Sequence, residues 1–383
     1  MTRLLIAPDK FKGSLTAAEV VAALSRGLAE TAPDAEVAAC PIADGGDGTV
    51  DAALAAGARA QPVTVTGPTG APHETVWALE GTTAVLELAD AVGLKALPGG
   101  DLAPQSASSR GLGELLLTAV RAGAREIVVG LGGSASTDAG AGLLQALGAR
   151  LLTEDGEDIA PGLAGLEALA GVDLAPALAA LEGISLTAAN DVTNPLLGED
   201  GAAAVYGPQK GLDPQAVTAA DRVLADAAAL LDPSGEAARS EGAGAAGGVG
   251  FALLLLGAEQ RSGADVVLEL ADFDDRLATA DLVVTGEGKL DQQTLHGKGP
   301  AEVARRGAAA GLPVLAVAGA VTLSSEELEG AGITAAFDLL SRAEDVAEAI
   351  ARGQELLEEV GREIGRSLPA LVGDSPAARS PLP

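Results

Sequence analysis

The sequence has very little of several residue types on which whole classes of protein depend. Its 383 residues include one cysteine, Cys40, and two histidines, and aromatic residues make up only 2% of the chain. A single cysteine excludes an internal disulfide and a multi-cysteine metal site, so we expect Cys40 to be buried and inert. Two isolated histidines give no basis for a zinc site or a Ser-His-Asp triad.

Long apolar runs and excess positive charge are also missing. No run of 18 or more uncharged apolar residues is present, and the opening residues read as a short strand, so we expect no membrane span and a cytoplasmic location. The chain has 24 basic and 54 acidic residues, a formal net charge of −30. Nucleic acid and anionic membranes would be repelled, and an anionic ligand would need a local positive pocket.

What remains is a chain rich in small aliphatic residues. Hydrophobic residues make up 48% of the chain. Such a core suits parallel sheets flanked by helices, and a chain of this length favours two domains. Strand-loop-helix patterning opens the sequence, with Ser14, Thr16 and Glu19 as capping residues for a helix at 16–32, and it returns near residue 282. Residues 63–88 instead alternate as antiparallel strands do.

This pattern predicts an α/β protein with a Rossmann- or flavodoxin-like doubly wound domain and a second α/β domain inserted into it. We predict that residues 1–64 and 280–383 form the discontinuous domain and that residues 65–279 form the insertion. The Pro-, Ser- and Ala-rich residues 369–383 are predicted to be a frayed tail.

A glycine-rich loop follows the buried strand at residues 126–129 and precedes a helix. Its small residues, among them Gly132, Gly133, Ser134 and Ser136, predict a phosphate or carboxylate site at a helix N-terminus, although a tight packing turn would look similar.

The same loop formally fits a dinucleotide-binding fingerprint, with Asp155 as the ribose-binding acid, and residues 242–247 fit it without a preceding strand. An NAD-dependent oxidoreductase of a small hydroxy acid is therefore an alternative, as is a non-catalytic metabolite-binding protein. A Walker A motif is absent, because Lys298 is followed by Gly299.

Five of the six lysines lie in glycine-rich or turn-rich segments, where a compact charge on a flexible stem could follow a moving phosphoryl group. Lys95 and His73 are expected at the surface, His73 in a turn. Carboxylates and amides recur in loops after strands, where they could bind Mg²⁺ or orient a hydroxyl, although each alone could be a helix cap. These residues are Asp9, Asp44, Asp47, Asp191, Asn194, Glu287 and Asp291.

Eight motifs carry a resemblance to a known family, in order along nearly the whole chain. They occupy residues 6–14, 43–49, 130–135, 191–196, 207–211, 242–248, 285–289 and 291–298. The sequence resembles the bacterial glycerate kinase family, type 1. Ser136, Ala139 and Tyr206 are mild departures from the family pattern.

The resemblance implies phosphorylation of D-glycerate by ATP with Mg²⁺, giving 2-phosphoglycerate in preference to 3-phosphoglycerate. It also implies a Rossmann-like domain interrupted by a second α/β domain. From the sequence as a whole we expect a monomer or homodimer that binds neither nucleic acid nor membrane.

We assign site roles on this basis as hypotheses. Asp191 is the first choice for the base or orienting group, Lys10 and Lys12 lie near the transferred phosphate, and Asp44 and Asp191 are the Mg²⁺ candidates. The further substrate- or ATP-binding candidates are Asp9, Ser14, Gly45, Gly46, Gly132, Gly133, Ser134, Ser136, Asn194, Lys210, Glu287, Thr294, His296 and Lys298.

Overall fold

A computed structural model describes residues 1–43, 45–296 and 299–373, with only the backbone described at residue 296. Within those ranges the strands are β1 (Arg3–Pro8), β2 (Glu36–Ala39), β3 (Arg59–Thr66), β4 (Pro72–Glu80), β5 (Thr83–Glu87), β6 (Glu126–Gly130), β7 (Arg150–Leu152), β8 (Gly171–Asp173), β9 (Ser185–Ala189), β10 (Glu259–Arg261), β11 (Leu282–Leu290), β12 (Val314–Val321) and β13 (Ala335–Asp338).

The α-helices of the same ranges are α1 (Ala17–Thr31), α2 (Thr49–Ala56), α3 (Leu88–Val92), α4 (Arg110–Arg121), α5 (Ala141–Ala146), α6 (Leu163–Leu166), α7 (Ala175–Ala180), α8 (Ala202–Tyr206), α9 (Pro214–Leu231), α10 (Glu236–Arg239), α11 (Ala245–Leu255), α12 (Gly263–Leu270), α13 (Phe273–Leu277), α14 (Gly299–Ala309), α15 (Ser325–Gly330), α16 (Val346–Ala351) and α17 (Gly353–Val372). Short 3-10 helices cover Leu94–Ala96, Pro98–Gly100, Pro208–Lys210, Thr294–His296 and Leu340–Arg342.

The chain forms two compact units, the first from Met1–Ala43 with Leu268–Pro383 and the second from Asp44–Val267. Both units have a mixed α/β architecture, with the second inserted into the first. The boundaries differ from those predicted, because α2 and β3 belong to the inserted unit. β3 pairs with β4 along its whole length and so begins the inserted sheet. At the other boundary α13 joins the first unit, where the Arg276 side chain donates to the Ala39 carbonyl at 2.7 Å.

The first unit contains a five-stranded parallel sheet in the order β13-β12-β11-β1-β2. Leu4, Ile6 and Val284 point from it into a core shared with α1 and α17. β11 runs to Leu290, well beyond the predicted strand, because it continues to pair with β12. Since the carboxyl ends of parallel strands meet at one edge, the loops after β1 and β11 are neighbours.

Helices α1 and α17 pack closely against each other in this unit. Thr16 caps α1 and forms the predicted capping box with Glu19. A Cβ atom built on Gly27 would lie 2.0 Å from the Glu358 carbonyl oxygen, so only glycine permits this approach. Arg26 bonds Glu358 at 2.6 Å beside the contact. The two ends of the described chain are thereby joined.

The inserted unit contains a six-stranded sheet in the order β10-β9-β6-β5-β4-β3. β3, β4 and β5 are antiparallel, as predicted for residues 63–88, and β5, β6, β9 and β10 are parallel. At the carboxyl ends of β5, β6 and β9, Glu87 is the register partner of Gly130, and Gly130 is the register partner of Ala189. Loops from three adjacent strands therefore leave the same edge.

Several smaller expectations have different outcomes. Cys40 is buried, as predicted, and burial raises the pKa of its thiol to about 11. His73 is half-buried in β4, where Nε2 lies 2.9 Å from the Asp90 carbonyl oxygen, and so is not in a turn. Pro369 lies within α17, so the predicted tail begins too early, and residues 374–383 lie outside the described part. No helix among the described residues has the length and apolar character needed to span a bilayer.

Candidate active site

In the first unit, the turn after β1 holds Asp9, Lys10, Lys12 and Ser14. Asp9 is buried; its backbone N–H donates to the Gly286 carbonyl at 2.7 Å, and its carboxylate accepts from the Lys10 N–H at 2.6 Å. The Ser14 hydroxyl donates to the Phe11 carbonyl at 3.1 Å, which closes the turn. Lys10 is half-buried and Lys12 is exposed at the tip of this turn. The turn therefore presents cationic side chains at the edge of the sheet.

The neighbouring segment at the end of β11 holds Glu287 and Thr294. Glu287 is half-buried and belongs to the strand itself, because β11 is longer than predicted. Thr294 is buried, and its hydroxyl accepts from the Asp291 N–H at 3.1 Å. Thr294 therefore closes a turn of its own chain. The predicted roles of Asp44, Lys298 and the His296 side chain fall outside the described residues.

In the inserted unit, glycines let three loop segments approach one another closely. A Cβ atom on Gly45 would lie 2.2 Å from the Gly263 Cα, and one on Gly132 would lie 2.8 Å from the Gly46 Cα. Contacts this short leave no room for a side chain. Gly45 and Gly132 are therefore required for backbone packing at the carboxyl ends of the strands.

Glu87, which the sequence reasoning missed, holds one of these loops in place. It ends β5, is 2% exposed, and accepts from the Gly48 N–H with both oxygens at 3.0 Å and from the Val50 N–H at 3.2 Å. Burial, followed by the charge of Asp90, raises the pKa of Glu87 to about 8. An acidic residue at the end of a buried apolar strand was the available sequence signal.

Carboxylate oxygens of Asp47, Glu87 and Asp90 lie within 4.8 Å of one another. Backbone N–H groups already engage Glu87, and the Lys95 ammonium bonds Asp47 at 2.8 Å. The Lys95 side chain is 80% exposed, as expected. We therefore interpret this cluster as an internal anchor with a surface ion pair.

The loop after β6 is exposed at Gly133 and partly exposed at Gly132, whereas Ser134 and Ser136 are buried. The Ser134 hydroxyl donates to the Ser136 carbonyl at 3.0 Å, and the Lys210 ammonium donates to both residues. Ser134, Ser136 and Lys210 are thus bonded to one another inside the unit, and their predicted contact with a ligand stays a prediction.

The helix after this loop does not offer the expected anion site. α5 has six residues, and the buried Asp138 carboxylate accepts from the Gly140 and Gly142 N–H groups at 3.2 and 3.3 Å. Asp138 also accepts from the Ser109 N–H and hydroxyl at 2.8 and 2.9 Å. The first turn of α5 is therefore occupied by the protein's own carboxylate.

Asp191 is half-buried just beyond the end of β9. Its Oδ1 accepts from the Ser262 hydroxyl and from the Gly263 N–H, each at 2.9 Å, which fixes the orientation of the carboxylate. Asn194, by contrast, donates to the Asp200 carbonyl at 2.8 Å and accepts from the Tyr206 hydroxyl at 2.6 Å. The structure gives Asn194 the role of bracing its own loop.

The sequence of this chain is similar to known proteins over nearly its whole length. Residues 4–369 match the profile of the "Glycerate kinase family". A glycerate kinase of Bacillus subtilis (strain 168) is 40% identical over 96% of this chain and 97% of its own. The "Glycerate 2-kinase" of Escherichia coli (strain K12) is 38% identical over 96% and 98%. The chain belongs to the glycerate kinase family.

The crystal structure of a protein provisionally named glycerate kinase 2, from Salmonella typhimurium LT2, superimposes on this chain with a TM-score of 0.84 at 39% identity. It covers 96% of this chain and 98% of its own chain. The similarity therefore extends over both units, and it confirms the resemblance seen in the sequence motifs.

The positions of the two glycine motifs in the structure remove the support for the alternative of an NAD-dependent oxidoreductase. A ribose-binding acid should end the strand after the glycine loop, next to the first strand of the same sheet. Here β7 pairs with β8 in a separate two-stranded ribbon, and Asp155 is exposed beyond it. In the second match, Gly247 and Gly248 adopt left-handed conformations and pack against Ser136 and Ala139. Both matches are packing features of a glycerate kinase family member.

Proposed function

We propose that this chain transfers the γ-phosphoryl group of ATP, with Mg²⁺, to the 2-hydroxyl of D-glycerate. The match of residues 4–369 to the glycerate kinase family carries this proposal, because it covers both units. The name of the E. coli relative, glycerate 2-kinase, supports the choice of the 2-hydroxyl. The structure contributes the side chains that could perform the steps.

The turn after β1 supplies the cations for the phosphate. Lys12 is exposed at its tip, Lys10 is half-buried beside it, and the Asp9 carboxylate is fixed by the Lys10 N–H at 2.6 Å. Phosphoryl transfer depends mainly on positioning and on neutralising charge at the phosphate oxygens. Lys10 and Lys12 are proposed to make those contacts.

Asp191 is proposed to orient the attacking hydroxyl and to accept its proton. The hydroxyl oxygen forms a bond to the γ-phosphorus, the bond from that phosphorus to the bridging oxygen breaks, and ADP leaves. The bonds from Ser262 and Gly263 at 2.9 Å hold the Asp191 carboxylate in one orientation, as this step requires.

Mg²⁺ prefers hard oxygen ligands, and a half-buried carboxylate in a loop after a strand fits that preference. Asp191 meets this description among the described residues, and Asp44 is the second proposed ligand. When bound, the ion would neutralise charge on the phosphate oxygens of ATP.

The test is ³¹P NMR of the purified protein with Mg·ATP and D-glycerate, with L-glycerate and glycerol as control acceptors. A 2-phosphoglycerate resonance that appears only with D-glycerate is expected. A 3-phosphoglycerate resonance would keep the kinase and correct the attacked hydroxyl. ATP left intact with every acceptor would contradict the proposal.

A further inference from the structure

Lys210 is buried, unlike two other lysines of the described chain. It ends the 3-10 helix Pro208–Lys210 and is 2% exposed, whereas the side chains of Lys95 and Lys289 are 80% and 59% exposed. Removing an ammonium group from water is unfavourable unless the protein replaces the lost hydrogen bonds. The surroundings of Lys210 show which protein groups replace its lost hydrogen bonds to water and what its charge does.

The Lys210 ammonium joins two positions of the loop after β6. It donates to the Ser134 hydroxyl at 3.4 Å and to the Ser136 carbonyl oxygen, and the Ser134 hydroxyl itself donates to that carbonyl at 3.0 Å. Gly133, directly before Ser134, is exposed. One buried charge therefore fixes the backbone that leads into the accessible part of the loop.

The segment 246–248 encloses the ammonium from another side. A Cβ atom on Gly247 would lie 2.6 Å from the Lys210 Nζ and 2.0 Å from the Ser136 carbonyl oxygen. Ala246, Gly247 and Gly248 all have positive φ angles, of 54°, 73° and 91°. This conformation is unfavourable for Ala246, so the backbone is strained into a shape that leaves room for the ammonium.

Asp138 is the carboxyl group that acts on Lys210. It is fully buried in the same loop and bonded to Ser109 and to the first turn of α5. Burial lowers the pKa of Lys210 to about 7, while the charge of Asp138 acts in the opposite direction. The ammonium can therefore lose its proton within the range of ordinary enzyme assays.

We propose that Lys210 is a positioning residue, whose charge holds Ser134 and Ser136 and attracts an anionic ligand group to Gly132 and Gly133. The group would be a phosphate of ATP or the carboxylate of glycerate. The inference rests on the proposed function and deepens it. The protein interior screens charge poorly. A buried cation bonded to Ser134, the residue after exposed Gly133, therefore acts on the ligand without touching it.

The experiment measures equilibrium binding of D-glycerate and of Mg²⁺ with a non-hydrolysable ATP analogue from pH 6 to pH 9. Wild type is compared with Lys210→Met, and the exposed Lys95→Met serves as the matched control. At pH 6 we expect Lys210→Met to bind one of the two ligands about tenfold more weakly than wild type. The wild-type advantage should disappear as the pH rises past about 7 to 8, where Lys210 loses its proton.

Comparing the proteins at each pH cancels titration of the ligands themselves, and Lys95→Met should follow wild type. Lys210→Gln, which keeps an N–H donor without the charge, replaces Lys210→Met if the latter does not fold. Equal affinities, or parallel pH curves for wild type and the uncharged variant, would overturn the Lys210 inference alone. Wild type that binds neither ligand would overturn the proposed function as well.

Discussion

The two units place charged residues at the carboxyl ends of parallel strands in opposite ways. In the first unit Lys12 is exposed and Lys10 half-buried, in a short turn directly after β1. In the inserted unit Lys210, Asp138 and Glu87 are buried and bonded to backbone groups of loops in the same unit. A lysine beside glycine can therefore be accessible in one unit and hold the backbone in the other.

The buried groups of the inserted unit lie in or beside glycine-rich loops. A glycine-rich loop has little conformational preference of its own and loses much entropy when it is ordered. Buried charged groups that accept or donate several backbone bonds restrict such a loop to one shape. The predictions below compare the effect of accessible charges on activity with the effect of buried groups on stability.

The largest effect is expected at Asp191, the half-buried carboxylate of the inserted unit that we assign to chemistry. Asp191→Asn keeps an oxygen to accept from Ser262 and Gly263 but cannot take a proton, so kcat should fall by about 10²- to 10⁴-fold with the fold intact. Steady-state kinetics with D-glycerate and thermal unfolding measure both. Asp226→Asn, on the exposed face of α9, is the control. A near-normal kcat would remove Asp191 from the mechanism.

Gly247→Ala should damage the inserted unit most. The new Cβ atom would lie 2.0 Å from the Ser136 carbonyl oxygen in a backbone with φ of 73°, so we expect a loss of about 3 kcal/mol in unfolding free energy. Gly257 has a similar φ of 82° with nothing within 4 Å, so Gly257→Ala isolates the conformational effect, about 1 kcal/mol. Equal losses in denaturant unfolding would show that the space around Lys210 is not tight.

Lys12→Met tests the accessible side of the comparison. Removing a cation that meets the phosphate should lower kcat/KM by about 10²-fold, while the exposed position leaves thermal unfolding unchanged. Lys95→Met, an exposed lysine of the other unit, should keep both activity and stability. Normal kcat/KM in Lys12→Met would mean that the turn after β1 does not contact the phosphate.

Glu87→Gln gives the most pH-dependent effect. Because the folded-state pKa of Glu87 is raised from 4.5 to about 8, the fold favours the protonated carboxyl. The wild type should therefore lose stability relative to Glu87→Gln as the pH rises from about 4.5 to about 8, and the difference should be constant above that. Melting temperatures at pH 5, 7 and 9 measure this, with exposed Glu80→Gln as the control for removing a carboxylate. A stability difference that does not change with pH would contradict it.

The sequence predicted features that depend on local pattern. The capping box of Thr16 and Glu19, the burial of Cys40, the antiparallel region and the family resemblance are confirmed. Lys210 and Lys12 look alike in sequence, but the Ser136 carbonyl that accepts from Lys210 lies 74 positions away. Glu87 is likewise bonded to Gly48, 39 positions away. Burial that depends on distant partners cannot be read from a short motif, and the catalytic roles stay predictions.

The packing of α1 against α17 also decides the order in which the protein can fold during synthesis. The first 43 residues leave the ribosome early, but β1 pairs with β11 and Gly27 of α1 needs the backbone of Glu358. The inserted unit ends at Val267, so all of its residues are synthesised before the first unit is complete. The nascent N-terminal strand and helix must therefore wait, with their apolar faces uncovered, until almost the whole chain has been translated.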